Sequence, residues 1–164
     1  QGFVEEYSWA SNFYEPCKVV YEGLEYNSSE AAYQSAKTTD MKIRKLFTQY
    51  DAGESKKFGN KRAHEIGLVL RSDWDAVKLQ VMFDICLDKF TRNEDLKTQL
   101  SATGERYLEE TNWWGDSFWG VVDGKGNNHL GFILMAIRDK LSESYTRNPE
   151  NNFLNTKIFG EDKV

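Results

Sequence analysis

Glu30, Gln34 and Lys37 stand at i, i+4 and i+7, so a helix would carry a carboxylate, an amide and an amine on one face. The carboxylate could serve as general acid and base, and the amine as a nucleophile or a phosphate ligand. Along a helix axis Glu30 and Lys37 are about 10 Å apart, two turns, and both can lean into one pocket. The residues between them include Ala31, Ala32, Ser35 and Ala36, small enough for other elements to pack closely. The plainer alternative is an exposed polar stripe.

Three further groupings could take part. Asn112-Trp113-Trp114-Gly115-Asp116 is followed by Phe118-Trp119-Gly120. Its tryptophans could form a wall on which a planar heterocycle stacks, or could pin a loop to the core. Gly124-Lys125-Gly126-Asn127-Asn128 precedes an apolar helical pattern, and exposed amides there could receive an anion. Its Gly-x-Gly is too short for a dinucleotide fingerprint, and a Gly-rich turn with an Asn cap explains it as well. Ser11-Asn12-Phe13, beside Tyr7 and Trp9, could line a pocket or form an ordinary turn. His64 has no histidine or cysteine near it, and Cys17 and Cys86 fall in segments expected to be buried, so all three read as structural.

The chain that must position these groups has 164 residues, enough for one substantial core. It is 40% hydrophobic and 29% charged, a globular balance. No apolar run approaches the roughly 20 residues of a membrane span. Gln1–Tyr7 does not read as a secretory signal. Two unclustered cysteines and two histidines leave no disulfide framework or zinc site, and a cytoplasmic protein is expected. A net charge of −5 argues against a general nucleic-acid binder. Yet between Ala36 and Arg71 nine Lys/Arg face four Asp/Glu, a local +5 in an otherwise acidic chain. That stretch is either a solvated face or a pocket for a phosphate or pyrophosphate.

The pattern predicts mostly helix with a little strand. Two short strands are expected in residues 17–26 around Glu22-Gly23, then N-caps at Asn27-Ser28-Ser29 and a helix from Glu30 to Thr38. Asp40 should cap a second helix that ends near Gly53, and a third segment should run from Glu54 to Ile66. The strongest pattern lies at Asp73–Phe90, with Ser72 and Asp75 resembling a capping box. A shorter helix over Asn93–Ala102 should end at Gly104, with extended chain over Arg106–Glu110. After the loop at Trp113–Asn128, Asn127 or Asn128 should cap a final helix to Leu141, with Leu130, Ile133, Leu134 and Ile137 inward.

Taken in order, Ser11-Asn12-Phe13, Ser29-Glu30 with Gln34 and Lys37, Trp114-Gly115, Gly126-x-Asn128-x-Leu130-Gly131 and Leu134-Met135-x-x-Arg138 resemble the NADAR (YbiA-like) family. Gly59, Trp74, Met82, Lys89-Phe90 and Thr103-Gly104 also fall where that pattern expects them. The resemblance runs from about Phe3 to Leu141. It implies a mainly α fold with minor β: one helical domain over residues 1–141 with a short N-terminal strand pair, and a polar extension over 142–164. The departures are the segment before Ser11, the aromatic excess around Trp114, and the tail from Ser142. The first two bear on substrate identity.

The resemblance implies an N-glycosidase, a hydrolase of N-glycosyl bonds. Some members cleave ribosylamine intermediates of riboflavin synthesis. Others remove ADP-ribose from guanine in DNA or RNA. Glu30 and Lys37 would be catalytic, Glu30 as general acid and base, Lys37 as a Schiff-base former or a phosphate ligand. Ser11, Asn12, Phe13, Tyr33, Gln34, Lys61, Arg62, Trp113, Trp114, Gly115, Asp116 and Asn128 would bind a phosphorylated ribosyl or ADP-ribosyl substrate. No metal or cofactor is called for and no membrane partner is expected. A second class of function stays open, a non-catalytic module that binds ADP-ribose or a related nucleotide. It would need the aromatic wall and the cations but not Glu30. A base glycosylase acting on flipped bases is weaker, because the chain is acidic and lacks a duplex-binding motif.

Overall fold

A computed structural model describes residues 5–142 and shows six helices and one two-stranded antiparallel sheet among them. The proposed extension, from residue 143 onward, lies outside the described residues. Two compact units emerge: Asn12–Asn93, and residues 5–11 together with 94–142.

In the Asn12–Asn93 unit, β1 (Val19–Tyr21) and β2 (Leu24–Tyr26) form the expected hairpin, pairing Val19 with Tyr26 and Tyr21 with Leu24. Glu22 and Gly23 have φ of 44° and 80°, the left-handed pair that a two-residue hairpin turn needs. Glu22 is not a favoured residue there, and its carboxylate is held by the Arg44 guanidinium. Helix α1 (Ser29–Ser35) starts at Ser28, whose Oγ accepts the Ala31 N–H at 3.1 Å, and all of its residues are buried. Asp40 caps α2 (Met41–Leu46) as expected, accepting from Lys42 N at 2.8 Å. That helix stops at Leu46, and Gly53 belongs to the first turn of α3 (Ala52–Phe58). Asp51 and Glu54 form a full capping box there. The segment expected to run from Glu54 to Ile66 is therefore broken. It ends at Phe58 and resumes as a 3₁₀ turn over Ala63–Ile66.

Helix α4 (Trp74–Arg92) buries Trp74, Val81, Met82, Ile85 and Phe90, most of the expected stripe. Its start corrects the expected Ser72/Asp75 box. The N-cap is Asp73, without a side-chain cap bond, because both carboxylate oxygens accept from Arg71 at 2.6 and 2.9 Å. Asp75 turns to Lys78 instead. Asp88 on this helix accepts the Val20 N–H at 2.7 Å, satisfying the hairpin's edge.

Lys89 is only 1% exposed, and burial lowers its amine to about 8. Its Nζ lies 5.1 Å from the Phe90 ring centroid and 5.7 Å from that of Tyr14. Unfolding returns Lys89 to its ordinary affinity near 10.5, so between about 8 and 10.5 the unfolded chain holds the extra proton. Stability then rises with pH in that window. Cys86, pushed up to about 12 from 9.0 by burial, opposes this only above about 9. Raising pH from 7 to 9 should therefore add roughly 1 kcal/mol from Lys89, read as the part of the rise in urea midpoint that Lys89→Met loses. A Lys89→Met midpoint that rises as much as that of the wild type over that span contradicts the buried amine.

The second unit opens with a 3₁₀ turn, Glu5–Ala10, that buries Trp9 and Ala10. It continues with α5 (Glu94–Ala102), which leads to Gly104 at φ 57°, and closes with α6 (His129–Leu141). Leu130, Ile133, Leu134 and Ile137 are all buried on α6. Arg138 ties this unit together, its Nη1 donating to Thr103 Oγ1 and Arg106 O, both at 2.8 Å. Arg106–Glu110 forms no strand; two isolated bridges, Thr111 with Val121 and Val122 with Lys125, are all the pairing described here.

Candidate active site

Glu30 is the second residue of α1 and 7% exposed. Its N–H donates to Asn12 O at 3.0 Å, which fixes the first turn of the helix against the incoming chain. One turn on, Gln34 Nε2 donates to Glu30 Oε1 at 2.8 Å, so the carboxylate is oriented by its own helix. Gln34 Oε1 is buried and has no hydrogen-bond partner among the described residues.

Lys37 lies beyond the C-cap Ala36, because α1 stops at Ser35 and does not reach Thr38. Its Nζ donates to Gly59 O at 3.0 Å and to Asn60 Oδ1 at 2.7 Å. Burial lowers this amine to about 8, and the field of Glu30 acts the other way. A partly desolvated amine and a buried carboxylate are thus presented by one short stretch of chain.

Gly59 makes this possible. A Cβ there would sit 2.1 Å from Gln34 Oε1 and 2.7 Å from its Cδ. The end of α3 thus rests directly on the Gln34 side chain. Gly59→Ala should cost about 1–3 kcal/mol through forced displacement, read as a lower denaturation midpoint. An unchanged midpoint would disprove the close approach.

The other expected residues of this unit are placed less uniformly. Asn12 directs its side chain to α4, with Nδ2 3.3 Å from Met82 Sδ and Oδ1 3.8 Å from Cys86 Sγ. Phe13 is exposed, with the Lys56 amine 5.2 Å from its ring centroid. Tyr33 is buried against Trp74, ring centroids 5.1 Å apart. Lys61 is exposed, whereas Arg62 pairs with Glu65 and lies 4.9 Å from the Phe58 ring centroid. Within the basic stretch Arg44, Arg62 and Arg71 each hold a carboxylate of the chain.

In the other unit, Asn112 clamps a loop. Its Nδ2 donates to Asp116 O at 2.7 Å and its Oδ1 accepts from Asp116 N at 2.9 Å, leaving Trp113, Trp114 and Gly115 as the tip. The two indoles meet edge to face at 5.0 Å and are 80% and 51% exposed. They are not core anchors. Asp116 Oδ1 accepts from Phe118 N and Trp119 N, a local turn cap. Ser11 gives its N–H to Ser8 O.

Two expectations are corrected here. The amides of Asn127, Asn128, His129 and Leu130 are not open to an anion, since they donate to the carbonyls of Ser117, Gly120, Phe118 and Trp119. Asn128 precedes α6 at φ 51° but makes no side-chain cap bond. Its amide, 2% exposed, instead joins Glu110 N, Leu108 O and Tyr107 OH. Sequence reasoning misses Asn60, and it names Asn112 within the aromatic loop without a role, for which the Asn112-x-x-x-Asp116 spacing is the available signal. No group of three His, Cys, Asp or Glu able to hold a metal occurs among the described residues. No described helix is long and apolar enough to cross a membrane.

Comparison with known proteins bears on this geometry. The family model for the NADAR domain matches residues 2–142. A riboflavin biosynthesis protein of Vibrio vulnificus is 36% identical over 141 residues, 85% of this chain and 37% of that protein. An N-glycosidase of Nostoc punctiforme is 45% identical over 73 residues, 44% of this chain and 46% of that one. The chain thus spans less than half the length of these two relatives. The N-glycosidase YbiA of Escherichia coli is 33% identical over 141 residues, 84% of each chain. The solution structure of E. coli YbiA superposes with a TM-score of 0.75 at 29% identity, covering 90% of this chain and 86% of that one. The match to the family model and the shared helical fold lead to one conclusion: this chain belongs to the NADAR domain family.

Proposed function

We propose that this chain is an N-glycosidase that hydrolyses the bond between a phosphorylated ribosyl or ADP-ribosyl group and an amino-heterocycle. The observation that carries this reading is the pairing of buried Glu30, oriented by Gln34, with a Lys37 amine lowered to about 8. A module that only binds an anionic nucleotide has no use for a buried carboxylate beside its ligand.

The scissile bond belongs to an aminal. Protonation of the ring oxygen by Glu30 breaks its bond to the anomeric carbon and opens the sugar to an iminium of the heterocyclic amine. The neutral Lys37 amine adds to that carbon, and the heterocyclic amine leaves with a proton returned through Glu30. Water then hydrolyses the Lys37 imine, freeing the amine and an aldehyde sugar that recloses. Gln34 Oε1 would accept from a sugar hydroxyl. The same reading expects a cytoplasmic protein, which the free thiols of Cys17 and Cys86 support.

Incubation with an oligonucleotide ADP-ribosylated on guanine, and separately with a ribosylaminopyrimidine phosphate, tests the reading by mass spectrometry of the released base. Turnover of the first alone identifies a nucleic-acid de-ADP-ribosylase, and of the second alone an enzyme of metabolite clearance. Turnover of neither overturns the enzyme reading and leaves the binding module, to be checked by calorimetry with ADP-ribose.

A further inference from the structure

The Lys37 amine is held by two acceptors from a single turn at the end of α3, Gly59 O at 3.0 Å and Asn60 Oδ1 at 2.7 Å. The Asn60 amide is itself fixed, for its Nδ2 donates to Lys56 O at 2.7 Å. Asn60 is an exposed residue, so core packing does not require it. Gly59 O cannot move without displacing the chain that rests on Gln34. Of the two acceptors, only the one on Asn60 can be altered by substituting a side chain.

We infer that Asn60 is a positioning residue: its side-chain oxygen fixes the Lys37 amine in place and sets the balance between its charged and reactive forms. The inference rests on Lys37 being the reacting amine, although its test does not require turnover.

A carbonyl acceptor bonds an ammonium more strongly than an amine, so Asn60 favours the charged form and works against the desolvation of Lys37. Glu30, from α1, acts in the same direction. On α3 the nearby charges are Lys56, whose amine lies by the Phe13 ring, and Lys57. Arg71 gives only its backbone N–H to Lys37 O, at 2.8 Å, while its guanidinium is occupied by Asp73.

Two substitutions separate this role from a structural one. Asn60→Ala removes the acceptor, and Asn60→Asp replaces it with a charged one. Both delete the bond to Lys56 O, so a merely structural effect moves both variants the same way. The electrostatic role moves them in opposite directions.

The experiment is trace labelling of the full chain with acetic anhydride across pH, with Lys37 acetylation read by peptide mass spectrometry. In wild type the midpoint is expected near 8. Asn60→Asp should raise it, with about tenfold less labelling at pH 7. Asn60→Ala should lower it and speed labelling. Shifts in the same direction, or no shift in either variant, overturn the inference. If the Asp form does not fold, as judged by circular dichroism, Asn60→Ser and Asn60→Ala carry the test. A hydroxyl acceptor should restore part of the Ala shift, and identical midpoints in wild type, Ser and Ala overturn it. An active enzyme whose Lys37 midpoint ignores Asn60 defeats this inference alone. An inactive chain whose midpoint follows Asn60 defeats the proposed function alone.

Discussion

Glu30→Gln should lower turnover by about 10²–10⁴-fold on whichever substrate the wild type cleaves, with substrate affinity changed by no more than a few-fold. Gln has nearly the same shape, and its carbonyl oxygen can still accept the Gln34 Nε2 bond now made by Glu30 Oε1. The backbone bond from residue 30 to Asn12 O is untouched. What disappears, on the proposed mechanism, is the proton that opens the sugar and the base that accepts one from the leaving amine. Loss confined to kcat is the signature of an interaction used only in the transition state. Single-turnover rates and equilibrium binding, measured separately, check this. Turnover within threefold of wild type would exclude general acid–base catalysis by Glu30, and a parallel loss of binding would make Glu30 a ligand-holding residue.

What could be read from sequence was what depends on neighbours along the chain. The Glu22-Gly23 turn, the Asp40 cap and the inward stripe of α6 are local patterns, and the structure keeps them. The errors come from side-chain and loop partners that a periodic pattern does not register. The third helical segment stops at Phe58, next to Gly59, where Gln34, on another helix, occupies the space a side chain would need. The expected Ser72/Asp75 box does not form: α4 starts from Asp73, whose carboxylate is taken by Arg71. The amides before α6 looked open to an anion, but the Trp-rich loop folds its own carbonyls onto them. The candidate site shows the same division. Helical spacing placed Glu30 and Gln34 on one face correctly, since both lie within α1. It could not show that α1 ends before Lys37, nor that Asn60 would meet the amine.

Lys37→Arg should abolish turnover by at least about a thousandfold and eliminate any substrate-dependent adduct trapped by borohydride. The substitution keeps a positive charge near the site, so a residue that only binds phosphate would survive it with modest loss. A guanidinium stays protonated throughout the working pH range and cannot add to an iminium carbon. The pH dependence of the wild type sharpens the contrast. On the proposed mechanism the reactive species is the neutral amine, and burial brings the Lys37 midpoint down to about 8 from the ordinary 10.5. Roughly one-tenth of Lys37 is then neutral at pH 7 and most of it at pH 9, so adduct formation should climb about tenfold over that span and level off. An unperturbed lysine would still be climbing steeply at pH 9, so the plateau is the diagnostic feature. Borohydride trapping followed by peptide mapping at several pH values measures both. If Lys37→Arg retains more than a tenth of wild-type turnover, or if the adduct maps to another lysine, Lys37 is a binding residue, and cleavage proceeds through an oxocarbenium-like state with Glu30 alone as acid.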